Sequence, residues 1–385
     1  MEQLISRTSA RRMGAALAFV VALAAVPVPV RAQTFTVLSN FTGSSGAYPY
    51  GGLIQDSAGT LYGTTYSGGS SSAGTMFAML YGAQPVLHSF SGSDGSIPKG
   101  GLIRDQNGIL YGTTQQGGVS GFGTVFTLSK TGTLTTLYSF AGGTSDGTYP
   151  YGGLVRDAVG DLYGTTESGG LFGFGAVWRL SPNGVENVLY NFAGTDGANP
   201  AYGSLMLDKI GNLYGVTAWG GAFNNGVIFS IATNGTYTVL HNFAGVDGSL
   251  AYGTPVQDST GNLYGTAAQG GQYGGGTVWK LTPTGVLTVL HHFASGTTDG
   301  AYPLAGLVRD STGSLYGVTY YSGTFGQGTV FKLKGKSYTL LHSFNCPSDG
   351  CYPVGALIED KNGSLYGTAN VGGTFGVGTV WKIGP

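Results

Sequence analysis

Hydrophobic and polar positions along this chain recur in short runs parted by glycine-rich turns. The stretch from Gly100 to Pro150, GGLIRDQNGILYGTTQQGGVSGFGTVFTLSKTGTLTTLYSFAGGTSDGTYP, shows the pattern once. It predicts four strands, over 101–104, 109–114, 124–128 and 134–140, with tight turns pairing the first with the second and the third with the fourth. The third strand reads Thr-Val-Phe-x-Leu or Thr-Val-Trp-x-Leu, as at Thr124 to Leu128, Thr277 to Leu281 and Thr329 to Leu333. Successive strand residues point to opposite faces, so consecutive apolar residues require both faces to be buried. Each small sheet is therefore packed on either side. Blades in a ring have that geometry, whereas a half-solvated sandwich alternates apolar with polar.

The unit repeats. Leu-Tyr-Gly recurs at the second-strand position with its tyrosine at Tyr62, Tyr111, Tyr163, Tyr214, Tyr264, Tyr316 and Tyr366, at intervals of 49 to 52 residues; one further copy, Leu80-Tyr81-Gly82, falls outside the period. A fixed interval of this size marks a repeat architecture, and four strands per unit with four to eight units is the β-propeller pattern. An extra fourth-strand signal, Thr34 to Phe41, precedes the first full repeat, and the last repeat stops after its third strand, Thr379 to Ile383. The expected fold is thus all-β: a seven-bladed propeller of four-stranded blades, with the N-terminal strand completing the last blade. The alternatives are an open β-solenoid, which needs no complementary ends, and a membrane barrel, whose strands are longer and alternate in polarity.

Glycine supplies 72 of 385 residues, but without a three-residue period, which excludes collagen. Disorder is excluded by 41% hydrophobic and 12% aromatic content. Residues 1–32 read as a signal peptide: Arg7, Arg11 and Arg12, an apolar run from Ala15 to Val30, then Val30-Arg31-Ala32 as the cleavage site. The domain expectation is a leader over 1–32 and one propeller over 33–385. Loss of the leader leaves 13 bases against 17 acids, a charge of about −4. No basic patch appears, so nucleic acid is not an expected partner, and no later stretch is expected to span a membrane. The expected product is a secreted monomer, periplasmic or extracellular, with no cofactor.

Turn chemistry accounts for most acids. Asp56, Asp105, Asp157, Asp208, Asp258, Asp310 and Asp360 each open an Asp-x-x-Gly turn, where the carboxylate accepts amides of its own turn and the glycine takes positive φ. One carboxylate per turn is too few for calcium. Six more aspartates sit in Asp-Gly turns, from Asp94 to Asp349, leaving Asp161, Glu167, Glu186 and Glu359 outside the pattern. His88, His241, His291 and His342 share one slot with Tyr138 and Tyr190, which reads as packing; His292, outside it, reads as a solvated strand position. No catalytic residue is assigned. The glycine inside the second strand, Gly63 and its equivalents, reads as room for an aromatic ring. Cys346 and Cys351, in one loop of an exported chain, read as a disulfide, and two thiols alone do not make a metal site.

Two slots vary from repeat to repeat. One precedes the first strand: Tyr50, Lys99, Tyr151, Tyr202, Tyr252, Leu304 and Val354. The other closes the second strand and includes Glu167 and Trp219. Both should lie on one face at the channel mouth, opposite the uniform Asp-x-x-Gly turns. Tyr50, Lys99, Tyr151, Tyr202, Tyr252, Glu167 and Trp219 are the candidate ligand-binding residues, suited by stacking and hydrogen bonding to a sugar or peptide. The expected function is an exported, non-catalytic binding or structural module, with a glycan or protein as partner. The alternative is an exported hydrolase, lyase or lactonase acting on a saccharide or lactone.

The run LYGTT, then GG, GTVFKL, TLLHSF, DG-x-x-P and a glycine-rich first strand resembles the Gloeo/Verruco (GloVer) tandem repeat of exported bacterial proteins, over essentially the whole chain after the leader. The resemblance implies export and brings no activity with it. Some members carry a C-terminal sorting anchor; this chain ends at Lys382-Ile383-Gly384-Pro385 without that tail, so anchoring does not carry over. The Asp-x-x-Gly-x-Leu-Tyr hairpin loosely resembles other secreted propeller repeats.

Overall fold

The computed structural model describes residues 33–80, 82–200 and 203–384. The leader expected over 1–32 lies outside the described residues. The remainder forms seven four-stranded antiparallel sheets and no helix among the described residues. Blade 2 is representative, with Ile103–Arg104 innermost, then Leu110–Thr114, Thr124–Leu128 and Leu134–Ser139. In blade 7 the inner strands are Ile358–Glu359, Leu365–Ala369 and Thr379–Ile383, and the outer strand is Phe35–Asn40 from the other end of the chain. Phe35 pairs with Ile383 and Asn40 with Thr379, so the ring closes as the complementary ends predict.

The core lies between blades, in seven separate apolar clusters that each span one blade-to-blade seam. One interlock recurs in all of them. The second-strand glycine pairs with the third-strand aromatic: Gly63 with Phe77, Gly112 with Phe126, Gly164 with Trp178, and so on to Gly367 with Trp381. A Cβ on Gly63 would stand 2.7 Å from the Phe77 ring, and on Gly112 2.6 Å from Phe126. The glycine is thus the space into which the ring lies flat. The ring then meets, edge to face, an outer-strand phenylalanine of the preceding blade: Phe41 with Phe77 at 5.1 Å, Phe140 with Trp178 at 5.4 Å, Phe344 with Trp381 at 5.5 Å. These side chains are at most 1% exposed, and such pairs add about 0.5–1.5 kcal/mol each beyond area burial.

The repeated tyrosine has a second role that the sequence reading missed. Its hydroxyl donates to the turn aspartate six residues earlier in every blade, as Tyr62 to Asp56 at 3.1 Å and Tyr264 to Asp258 at 3.0 Å. The His/Tyr slot is structural too, but ring packing is only part of the reason. Both side chains bond the Asp-Gly aspartate across the loop: His88 with Asp94 at 2.7 Å, Tyr138 with Asp146 at 3.0 Å, His342 with Asp349 at 2.8 Å. Blade 7 lacks the aspartate, having Ser45, and lacks the donor ring as well, having Ser39. The outer strand carries a bulge just before this slot in every blade, as where Val37 faces Trp381 and Ser39 faces Val380. Cys346 and Cys351 are joined, with Cα atoms 5.5 Å apart.

Two measurements follow from this architecture. Deleting residues 33–41 removes the outer strand of blade 7 and the Phe41 ring, baring a sheet edge. The truncated protein should aggregate or lose most of its cooperative thermal transition; unchanged Tm and solubility would refute the closure. The second concerns acid. Burial works to raise the Asp310 carboxyl, but bonds from Thr312, the Ser314 amide and the Tyr316 hydroxyl outweigh it and hold it at about 2. Asp56 and Asp360 are lowered in the same way. A carboxylate with a lowered folded-state pKa stabilises above its unfolded value of about 3.9 and loses that contribution as pH falls through the folded value. Tm should therefore drop steeply between about pH 4 and pH 2, and less steeply in Asp310→Asn; a flat profile over that range contradicts the assignment.

Candidate functional site

A glycine stands three residues ahead of the inner strand in every blade but the sixth, which has Ala305, and these positions set the wall of the central cavity. A Cβ on Gly51 would stand 2.7 Å from the Gly100 carbonyl, one on Gly100 2.7 Å from that of Gly152, and one on Gly355 2.7 Å from that of Gly51. Neighbouring blades therefore meet backbone to backbone at the axis, leaving a cavity of about 190 Å³. The residue before each glycine, and before Ala305 in blade 6, stands at its mouth. Tyr50, Lys99, Tyr151, Leu304 and Val354 line it. Tyr202 lies outside the described residues.

Charge and ring are concentrated on one side of that mouth. The Lys99 ammonium lies 4.1 Å from the Tyr151 ring centre, 5.3 Å from Tyr66 and 5.5 Å from Tyr50. Tyr50 and Tyr151 meet edge to face at 6.1 Å. Burial pushes the Lys99 pKa below the ordinary lysine value, and the Glu167 carboxylate partly offsets it. Glu167 accepts from the Gln115 amide at 3.2 Å. The other side is apolar: Ala218, Leu250 and Ala268 form a cluster, with Tyr252 and Leu304 against it. The mouth thus has a cationic, aromatic half from blades 1–3 and a greasy half from blades 4–6.

Of the sequence-predicted residues, the structure brings together Tyr50, Lys99, Tyr151 and Glu167, with Tyr252 across the mouth. Trp219 does not line the cavity. Its neighbour Ala218 takes the mouth position in the apolar cluster, while Trp219 pairs its backbone with Ala198 and leaves its indole 45% exposed. Tyr66 and Gln115, in the variable second slot, belong to the constellation and were not singled out beforehand. A further slot was missed entirely. Tyr48, Ile97, Tyr149, Asn199, Leu250, Tyr302 and Tyr352 all have φ between 52° and 60°, a conformation costly for residues with a Cβ. The carbonyls of Tyr48, Ile97 and Tyr149 receive the amides of Tyr66, Gln115 and Glu167, which ties each strained turn to the variable slot. Residues of this kind immediately before Pro49, Pro98 or Pro150 were the available signal.

The opposite face is less uniform than expected. Its Asp-x-x-Gly turns are alike, but beside them the inner strands end in Gln55, Arg104, Arg156, Leu207, Gln257, Arg309 and Glu359. A wider cavity of about 1070 Å³ opens there, lined in part by Arg104, Arg156 and Lys209. Of its cations, Arg156 lies 5.6 Å over the Tyr111 ring of the preceding blade, a contact that Arg309 repeats elsewhere in the ring at 5.9 Å from Tyr264. The unpatterned acids do not converge. Asp161 faces Arg179 at 3.6 Å, and Glu186, in the outer strand Glu186–Asn191, is pushed up to about 7 by burial and by Asp146. His292 is not simply solvated: its Nδ1 accepts from the Gln272 amide at 3.1 Å. Among the described residues no cluster of metal-ligating side chains occurs, and no helix is long and apolar enough to cross a membrane.

Comparison with solved structures supports the fold. The extracellular domain of BT4673 from B. thetaiotaomicron superposes with a TM-score of 0.60 at 11% identity, over 90% of this chain and 39% of that one. The extracellular domain of BT3049 from the same organism gives 0.56 at 10% identity, over 91% and 41%. PorZ, a surface component of the type-IX secretion system of Porphyromonas gingivalis, gives 0.54 at 16%, over 88% and 47%. The chain thus spans less than half the length of each. No curated protein sequence matches it. The Gloeobacter/Verrucomicrobia repeat matches twice, over residues 26–209 and 201–385. Between them the two matches take in all seven blades, and the chain belongs to the Gloeobacter/Verrucomicrobia repeat family.

Proposed function

We propose that this protein is an exported, non-catalytic binding propeller that takes a sugar or similarly amphipathic small ligand at the channel mouth. The observation that carries the proposal is the break in sevenfold symmetry around Lys99. Six of the seven blades place tyrosine or an aliphatic side chain in that slot, and only blade 2 places a cation there, seated against Tyr50, Tyr66 and Tyr151. A single asymmetric ligand requires such asymmetry. The half-buried rings of Tyr50 and Tyr66 offer stacking surface above the buried Tyr151, Lys99, Gln115 and Glu167 offer hydrogen bonds, and Leu304 receives an apolar edge. The absence of catalysis is supported by the commitments of the acids: thirteen aspartates serve turns, and Glu167 is held by Gln115 beside Lys99. Export is supported by the leader-like residues 1–32, by the Cys346–Cys351 pair, and by the extracellular or surface setting of the three structural neighbours.

Calorimetry or tyrosine fluorescence against a panel of soluble oligosaccharides tests the proposal. Tyr151→Ala should weaken binding by about 1–3 kcal/mol, as truncation of a central interface aromatic does. Because the Tyr151 ring is 3% exposed, that variant should also lose stability, so its affinity is measured well below its Tm. Lys99→Met should weaken binding at least as much with Tm little changed, whereas Trp219→Ala should leave mouth binding near wild type. Wild-type affinity in both Tyr151→Ala and Lys99→Met would refute the site.

A further inference from the structure

The loops joining second to third strands lie on the same face as the mouth, further from the axis. Five of them, in blades 3 to 7, end in an exposed aromatic: Phe172, Phe223, Tyr273, Phe325 and Phe375, between 50% and 61% exposed. Blades 1 and 2 have Ser71 and Ser120 in the same place. The tips are built alike. A turn closes behind each ring, from the Gly173 amide to the Gly170 carbonyl at 3.2 Å, Gly326 to Gly323 at 3.1 Å and Gly376 to Gly373 at 3.2 Å. The residue after the ring has positive φ, 54° at Asn224 and 75° at Gly326, which leaves the ring at the apex. The outer strand then pins the loop. Asn191 accepts from the Leu171 amide at 2.8 Å, Asn242 from Ala222 at 2.8 Å, His292 from Gln272 at 3.1 Å and Asn40 from Thr374 at 2.8 Å. Four of the five rings are therefore presented on turns anchored to their own outer strand.

We propose that this arc of five aromatic tips is a docking surface for a neutral polysaccharide, with the rings stacking on pyranose faces spaced along the polymer. The charge of the loops selects the partner. Segments 67–75, 116–124, 168–176, 219–227, 269–277, 321–329 and 371–379 contain no Asp, Glu, Lys, Arg or His. A nucleic acid or uronate polymer needs cations to offset its charge, and an anionic membrane draws on Lys and Arg around its inserted aromatics. A neutral glycan needs neither. Its C–H faces suit aromatic rings, and its hydroxyls find Gln272, Asn225, Thr324 and Thr374 beside them. Rings repeated on five successive blades suit a ligand that itself repeats. The proposal rests on the reading of this protein as a binding module but uses none of the mouth residues.

The test replaces all five rings with serine (Phe172→Ser, Phe223→Ser, Tyr273→Ser, Phe325→Ser, Phe375→Ser), the residue that the same turn already holds in blades 1 and 2. Wild-type and variant proteins are sedimented with insoluble neutral glycans (cellulose, chitin, a β-1,3-glucan, granular starch), with calcium-gelled polygalacturonate, and with zwitterionic and anionic vesicles. Light scattering gives the oligomeric state. Wild type should sediment with at least one neutral glycan, in high salt as in low, and the variant should lose at least tenfold in affinity while keeping the wild-type Tm. Soluble-oligosaccharide binding at the mouth should persist in the variant, so the two sites fail independently. The proposal is overturned if wild type sediments with none of the neutral glycans, if the variant sediments equally well, or if ring loss affects only vesicle binding or self-association.

Discussion

The structure depends on one contact made seven times: a glycine in the second strand that lets a third-strand aromatic ring lie across it and reach the preceding blade. A side chain at Gly164, Gly265 or Gly367 would occupy the space of Trp178, Trp279 or Trp381. Without the ring in that position, the outer-strand phenylalanines from Phe41 to Phe344 would have nothing to meet. Each blade buries little within itself. Its stability comes from the seam on either side, so the ring must close before the last seam forms. This is why the two ends of the chain share a blade, and why both ends of the series, Phe41 with Phe77 and Phe344 with Trp381, use the same pair as the interior seams.

A frame built by repetition separates structure from recognition. Residues that recur around the ring are committed: the turn aspartates of all seven blades to amides and a tyrosine hydroxyl, the His/Tyr slot of six blades to the second aspartate, and the inner glycine of six blades to the backbone of the next blade. What remains for recognition is where the repeat breaks. At the mouth the break is Lys99 among tyrosines, opposite an apolar half. On the loop tips it is five aromatic rings against two serines. The conserved geometry beneath, including the strained turns at Tyr48, Ile97 and their equivalents, holds these variable side chains in register around the axis.

The fold was legible because the signals are local and repeated: strand three apolar on both faces, Asp-x-x-Gly turns, and complementary ends. The glycine-aromatic interlock was visible for the same reason, since a glycine kept in seven strands implies something lying against it. The candidate site was legible only in part. Tyr50, Lys99 and Tyr151 stand in one slot and meet as expected, but Trp219 does not join them, because Ala218 takes the mouth position and Trp219 is tied by its backbone to Ala198. Tyr66 and Gln115 enter through contacts between blades, which no single repeat displays. The hydrogen bonds of the Leu-Tyr-Gly tyrosines, and of His292 to its loop, link positions whose registers depend on turns and bulges rather than on composition.

A double-mutant cycle at one seam tests the interlock most directly. Gly265→Ala places a methyl group against Trp279 and should lower Tm sharply, by the 1–3 kcal/mol typical of an overpacked core. Trp279→Leu alone should also destabilise, by loss of the ring at the Phe243 seam. If the glycine is there for the ring, the pair together should cost clearly less than the sum of the two, because leucine leaves room for the new methyl. Strictly additive losses, or a Gly265→Ala protein as stable as wild type, would contradict the account.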